Sequence, residues 1–327
     1  MTTVHIIGAT GYAAAELIRL LAVHPDVTIA TLESRSSPGK RICDLFPNMP
    51  GIVQTCDPEG TTLERVSASD LVFLAANHEL AREHAPALLA RGARIIDLSD
   101  AFRLTGKTDG AVYGLTERYR AAIAQSSFVA NPGCYVTASL LALVPLGTFA
   151  DDIATVIIDA KSGITGAGRN PSVPSLFAEV DSDVRAYGLG GHRHGAEIEQ
   201  EALAAGIGAP LIFSPHVVPL KRGLLADVYL VPKATLDRNA IVAALQRYYA
   251  ASAFVHVFDD GRVPNLPSLE KTTDAQLAVA QRSGIVQLLC GIDNLGKGAA
   301  GQAVQNMNVM LGLPEERGLG AHSTVVG

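Results

Sequence analysis

The first 23 residues read as an apolar strand, a glycine turn and a helix, and this succession constrains the fold more than any other feature of the chain. Val4 to Ile7 is a short apolar run, Gly8, Thr10, Gly11, Tyr12 and Ala13 belong to the turn "GATGYAA", and Ala13 to Val23 carries helical spacing. The rhythm then repeats. Val27 to Leu32 is a second strand, Asp70 to Ala76 a third, Glu79 to about Arg91 a helix, Ala93 to Ser99 a fourth strand, and "FVANPGC" adds a short strand and a turn. Apolar strands that alternate with helices form a parallel sheet covered on both faces.

Past Cys134 the pattern changes. Strand-like runs crowd together ("ATVIIDA", "LIFSPHVVPL", "LLADVYLV", "FVHVF", "QLAVAQ", "IVQLLCGI"), with two helices near Gly195 to Ala205 and Asp237 to Tyr249. The tail "KGAAGQAVQNMNVML" is helical again. The expected fold class is therefore α/β: a Rossmann-type parallel-sheet domain over residues 1–133, to which about 297–327 returns, and an α+β domain over 134–296 with a largely antiparallel sheet.

Composition bounds the function. A chain of 327 residues is long enough for two cores, and with 48% hydrophobic and 18% charged residues it is globular. A net charge of −6 argues against a general nucleic-acid or membrane-surface binder. No apolar run is expected to reach the length of a membrane span, and the N-terminus enters a strand with no basic leader. Four scattered cysteines without CxxC spacing predict neither disulfides nor a zinc site, which suits a reducing cytoplasm.

The turn Gly8-x-x-Gly11-x-x-Ala14, between strand and helix, suits a dinucleotide pyrophosphate, because backbone N–H groups at a helix start can approach it closely. The second strand ends "TLESRSSPGK". Glu33 could bind ribose hydroxyls as in NAD sites, but Ser34, Arg35, Ser37 and Lys40 follow at once. Hydroxyls and cations favour a 2′-phosphate and hence NADP.

Cys134 stands at the first turn of an apolar helix, where it is either a small core residue or a nucleophile. An unperturbed thiol is only about 3% thiolate at neutral pH, so a nucleophile needs help from the helix start or an imidazole. "GGHRHGAEIEQE" supplies His192 and His194, with Glu197 one turn on to orient a ring. Histidines at i and i+2 point to different sides of a helix, so a metal site is not expected. Cysteine, histidine and a nicotinamide cofactor together suggest thioester redox chemistry. Arg103 in "DLSDAFRL", and Ser162 and Arg169 in "KSGITGAGR", are candidates to hold a phosphoryl leaving group.

The ordered set "GATGYAAAEL", "HPDV", "DLSDAFRL", "VYGL", "NPGCYVTA", "KSGITGAGR", "GGHRHGAEI" and "DNLGKGAAGQAVQNMN" resembles the N-acetyl-gamma-glutamyl-phosphate reductase family, among the aspartate-semialdehyde dehydrogenase-like enzymes. The resemblance implies that Cys134 is the acyl-accepting nucleophile. It implies that His192 is the preferred base, with His194 on the substrate and Glu197 orienting the pair. Arg103 matches the position that holds the substrate phosphate, and Asn294 and Lys297 lie near the loop that closes over the nicotinamide. The implied reaction reduces N-acetyl-L-glutamyl 5-phosphate with NADPH in a homo-oligomer, dimer or tetramer. Three positions depart from the family pattern: Ala14 replaces the third loop glycine, Thr116 replaces a usual Pro, and "LPSLEKTTDAQLAVA" lacks a Gly-Thr/Ser-Asn stretch. Sister reductases acting on carrier-bound aminoadipyl phosphate or aspartyl phosphate remain rivals, and a non-catalytic NADP-binding sensor is a rival of another class.

Overall fold

A computed structural model describes residues 1–320. The last residues of the expected 297–327 segment, 321–327, lie outside the described residues. The chain divides into two compact units: Met1–Pro132 with the chain from Ala299 on, and Gly133–Gly298.

The first unit holds six strands, β1 (Thr2–Ile7), β2 (Val27–Glu33), β3 (Leu71–Leu74), β4 (Arg94–Asp97), β5 (Val112–Tyr113) and β6 (Phe128–Ala130). They pair in parallel in the order β2-β1-β3-β4-β6-β5. All four side chains of β3 are fully buried, as both-face coverage demands. The strand order reverses at β1, which has β2 on one side and β3 on the other, so a crevice opens at the carboxyl ends there. The helix Tyr12–Leu21 buries Ala14, Leu17, Ile18 and Leu21. Ala14, in place of the third glycine, is fully buried, so its methyl fits the packing. The closing helix Gly301–Met310 buries every residue, including four amide side chains. Such amides must be hydrogen-bonded. Asn308 accordingly meets the His24 ring at 3.1 Å and donates to the carbonyls of Glu315 and Arg317.

Asp97, at the carboxyl end of β4, is fully buried and accepts the Ser99 N–H at 3.0 Å and hydroxyl at 2.8 Å. Burial outweighs these bonds and pushes its carboxyl up to about 6.

The second unit holds β7 (Ile153–Gly163), β8 (Arg185–Ala186), β9 (Leu211–Val218), β10 (Leu224–Pro232), β11 (Val255–Phe258), β12 (Ala275–Arg282) and β13 (Ile285–Ile292). The order is β11-β12-β13-β10-β7-β9-β8. Only β11–β12 and β7–β9 are parallel pairs, so the sheet is largely antiparallel. The helix Cys134–Leu143 packs on β7, β10 and β13. Alternation sorts the faces of β7: Val156, Ile158 and Ala160 are fully buried, whereas Ile157, Asp159 and Lys161 are half-buried. On that second face Lys161 Nζ bridges Asp159 and Asp227, 2.7 Å from each.

One expectation is corrected. Cys134–Asp152 is long and apolar enough to cross a membrane by length and composition, with mean hydropathy 1.4. Two-thirds of it is buried inside the protein, where it supplies the middle of the second unit's core.

Because the folded pKa of Asp97 lies above its ordinary value, its contribution to stability is present below about pH 4 and is lost as pH rises through about 6. Asp97→Asn should flatten that part of the Tm–pH curve. A curve that falls as steeply in the variant would contradict this assignment.

Candidate active site

Cys134 is the first residue of the helix Cys134–Leu143, and Gly133 occupies its N-cap position with no side-chain cap. The half-buried thiol thus sits at the positive end of the helix, a position that stabilises a thiolate. Gly133 is required for a steric reason. A Cβ built on it would stand 2.3 Å from His194 Nε2, so the buried imidazole lies directly on the turn. The Gly133 N–H donates to Glu197 Oε1 at 3.1 Å. Glu197 therefore fixes the turn that presents Cys134, a partnership the sequence did not suggest.

His192 caps the helix Arg193–Ala204, its Nδ1 accepting the His194 N–H at 3.1 Å. A neutral imidazole that accepts at Nδ1 carries its proton on Nε2. Partial burial, with help from the Arg193 charge, holds His192 below its ordinary pKa, so the neutral ring is favoured near pH 7. The two histidine rings lie 4.8 Å apart, and Tyr135 stands 5.9 Å from each. The Tyr135 hydroxyl donates to the His216 carbonyl at 2.7 Å. Tyr187 completes the wall 5.2 Å from His192.

These groups border a cavity of about 630 Å³ whose lining includes Cys134, Tyr135, Ser162, His192, Arg193 and His194. Arg169 lies on the exposed turn beyond Ser162 and is not part of the lining. The described cations that do line the cavity are Arg185 and Arg193. Arg185 is paired with Asp183 at 2.7 Å. Arg193 was legible as the middle of the His-Arg-His triplet, whereas Arg185 and Tyr187 carried no motif.

The segment after β13 closes round the same cysteine. A Cβ on Gly298 would lie 2.8 Å from Cys134 Cβ. Buried Asp293 organises this segment by accepting the Leu295 and Gly296 N–H groups and pairing with Arg222 at 2.8 Å. Asn294 uses both ends of its amide, accepting the Gly223 N–H and donating to Thr165 Oγ1, each at 2.9 Å. Lys297 is fully buried, with Nζ 5.9 Å from the Phe254 ring centre. The stretch that departs from the family pattern leads into β12 through a left-handed residue. Lys271 adopts φ +63°, a conformation glycine takes without strain, and β12 follows intact.

In the first unit, Gly8 has φ +92° and a Cβ there would lie 2.6 Å from the Ala75 carbonyl oxygen, so only glycine permits the turn. Gly11 caps the helix Tyr12–Leu21, whose first N–H groups, including those of Tyr12 and Ala13, lack intrahelical acceptors. Thr10 lies within the same turn. Glu33 is buried and accepts the Thr62 N–H at 2.9 Å, so its carboxylate has a partner inside the protein. Ser34 is buried too, its Oγ accepting the Ser37 N–H at 3.2 Å. Arg35 is exposed and paired bidentately with Glu59, its Nε 2.8 Å from Oε2. Arg103 is buried and donates to the Leu98 carbonyl at 2.8 Å.

Gly133→Ala should lower kcat by about 100-fold or more, because a methyl there displaces His194 by an ångström or more. Steady-state kinetics on the folded variant checks this. A wild-type kcat would contradict the placement of His194 on the turn.

Family models agree with this division of the chain. The semialdehyde dehydrogenase NAD binding domain matches residues 3–126, and the semialdehyde dehydrogenase dimerisation domain matches residues 134–294. The N-acetyl-gamma-glutamyl-phosphate reductase of Citrifermentans bemidjiense is 41% identical over 98% of each chain. That of Neisseria meningitidis is 42% identical over 97% of each. Among solved structures, aspartate semialdehyde dehydrogenase II of Vibrio cholerae superposes with a TM-score of 0.73 at 18% identity, covering 95% of this chain and 98% of that one. That likeness shows the shared fold. The sequence relatives show more: the chain belongs to the N-acetyl-gamma-glutamyl-phosphate reductase family of semialdehyde dehydrogenase-type oxidoreductases.

Proposed function

We propose that this chain reduces N-acetyl-L-glutamyl 5-phosphate to N-acetyl-L-glutamate 5-semialdehyde with NADPH, releasing phosphate, as a step of arginine biosynthesis in the cytoplasm. The observation that carries the reading is Cys134 at a helix start, with His194 laid on the glycine before it and a cavity in front.

His194 takes the Cys134 proton, and the thiolate attacks the acyl carbon. The C–O bond to phosphate breaks, and the proton passes from His194 to the departing phosphate oxygen. A thioester remains on Cys134. When bound, the nicotinamide supplies the hydride that reduces this thioester. The C–S bond would then break, the aldehyde would leave, and the Cys134 thiolate would take up one proton from solvent through His194. The backbone N–H of Cys134 and the Nε2–H of neutral His192 are suited to the oxygen that gains charge. Because the helix cap occupies His192 Nδ1, this reading gives the role of base to His194, whereas the sequence favoured His192. Glu197 holds the turn, and Ser162, Arg193 and Arg103 are assigned to the substrate's polar groups.

The first unit fits a nicotinamide dinucleotide, since the Gly8 cradle and the helix start behind Gly11 admit a pyrophosphate. NADP rather than NAD is favoured because Glu33 is turned inward while Arg35 stands exposed at the end of β2. Asn294 and Lys297 are assigned to the segment that supports the nicotinamide end. The half-buried face of β7 and β10 is assigned to pairing between two copies, in keeping with a family model described as a dimerisation domain.

Supplied with NADP, phosphate and N-acetylglutamate semialdehyde, the protein should generate NADPH, and aspartate semialdehyde should be a far poorer substrate. No turnover, or a preference for aspartate semialdehyde, would overturn the reading. Cys134→Ser should abolish turnover while NADP still binds. Arg35→Ala should weaken NADP binding about tenfold, near 1.4 kcal/mol, without affecting NAD. Glu59→Gln should tighten NADP, because a competing carboxylate is removed from the Arg35 fork. Calorimetric Kd values check both, and parallel changes for NAD would contradict a 2′-phosphate role.

A further inference from the structure

The chain leaves the first unit after Pro132 and re-enters it at Ala299. One side chain ties these two crossings together. Asn131 Nδ2 donates to the Ala299 carbonyl at 3.2 Å. Its Oδ1 accepts from Asn306 Nδ2 at 3.0 Å. Asn306 Nδ2 also donates to the Gly114 carbonyl at 2.8 Å, and its Oδ1 accepts the Thr116 hydroxyl at 2.7 Å. Asn131, Thr116 and Asn306 are all at most 1% exposed.

This network costs desolvation that an apolar cluster would avoid, so it needs a reason beyond cohesion. Its geometry supplies one. Asn131 lies three residues before Cys134, and Ala299 directly follows Gly298, whose Cα approaches the Cys134 side chain so closely that a Cβ would stand 2.8 Å from it. The two backbone segments that border the thiol are thus the two segments joined through Asn131. The Gly114 carbonyl, which can only accept, turns the Asn306 NH₂ toward itself, and the Thr116 hydroxyl completes the arrangement by donating to Oδ1. With the hydroxyl donating to Oδ1, the NH₂ must face the two acceptors; a flipped amide would press oxygen against Asn131 Oδ1 and the Gly114 carbonyl. Gly114 admits this approach because a Cβ there would lie 2.8 Å from Asn306 Nδ2.

We propose that Thr116, Asn306 and Asn131 form a buried staple of positioning residues that sets the placement and reactivity of Cys134. The proposal rests on Cys134 being the nucleophile.

The test compares Thr116→Val, Thr116→Ser and Asn306→Asp in the full-length protein. It measures kcat, KM, Tm, the NADP Kd, and the pH dependence of iodoacetamide labelling at Cys134, resolved from the other cysteines by peptide mass spectrometry. Thr116→Val and Asn306→Asp should lower kcat about tenfold with KM and Kd within about twofold, and should shift the Cys134 labelling profile along the pH axis. Thr116→Ser, which keeps the hydroxyl, should restore both. A fall in Tm with wild-type kcat and labelling profile in Thr116→Val would overturn the proposal and leave a merely structural network. If Asn306→Asp does not fold, the Thr116 pair decides. The Cys134→Ser control separates the two levels. A dead Cys134→Ser with unaffected staple variants refutes only the staple, whereas an active Cys134→Ser removes the nucleophile and the staple with it.

Discussion

The contact between His194 and Gly133 exists only because residue 133 has no side chain, and the site depends on it. It lays the imidazole of His194, from the first turn of one helix, on the residue that caps the helix of Cys134. The Glu197 carboxylate secures the arrangement from below by taking the Gly133 N–H. Both groups are buried, and a buried polar contact holds its geometry more tightly than an exposed one. A reacting group placed this way loses little freedom when substrate arrives.

The first unit uses the same device for a different end. Glycine at position 8 lets the chain turn under Ala75, and the strand that would offer an acid to a ribose instead buries Glu33 against the Thr62 N–H. Exposed beyond β2 are Lys40 and the Arg35 guanidinium, the latter held by Glu59. The end of β2 thus buries one charged group and leaves another in water.

Much of the fold was legible in the sequence because its strands are buried on both faces or alternate cleanly. The apolar runs at β1, β3 and β4 and the alternation in β7 are signals of that kind. Strands β5 and β8 span two residues each and leave no periodicity to read. The helix Thr116–Ala124 is weakly amphipathic and kinked at Tyr119, so its pattern is broken. The apolar Cys134–Asp152 run illustrates a different limit, since a core helix and a membrane span share one composition. In the site, Cys134, His192 and His194 were legible from helix starts and side-chain chemistry. The partner of Glu197 was not, because Gly133 is 64 residues away and the bond uses its backbone. Arg169 was named from its glycine-rich turn and Arg185 carried no motif, because a motif marks a turn and only the folded loop shows which cation lines the cavity.

The central claim is that the acyl group passes through Cys134, and one measurement addresses it directly. The protein is mixed with N-acetylglutamyl phosphate in the absence of NADPH, quenched in acid and digested, and the peptide containing Cys134 is weighed. The account predicts an added N-acetylglutamyl group on that peptide, removed by hydroxylamine and regained as aldehyde when NADPH is supplied before the quench. An unmodified Cys134 peptide with full turnover, or the acyl group on another residue, would contradict it.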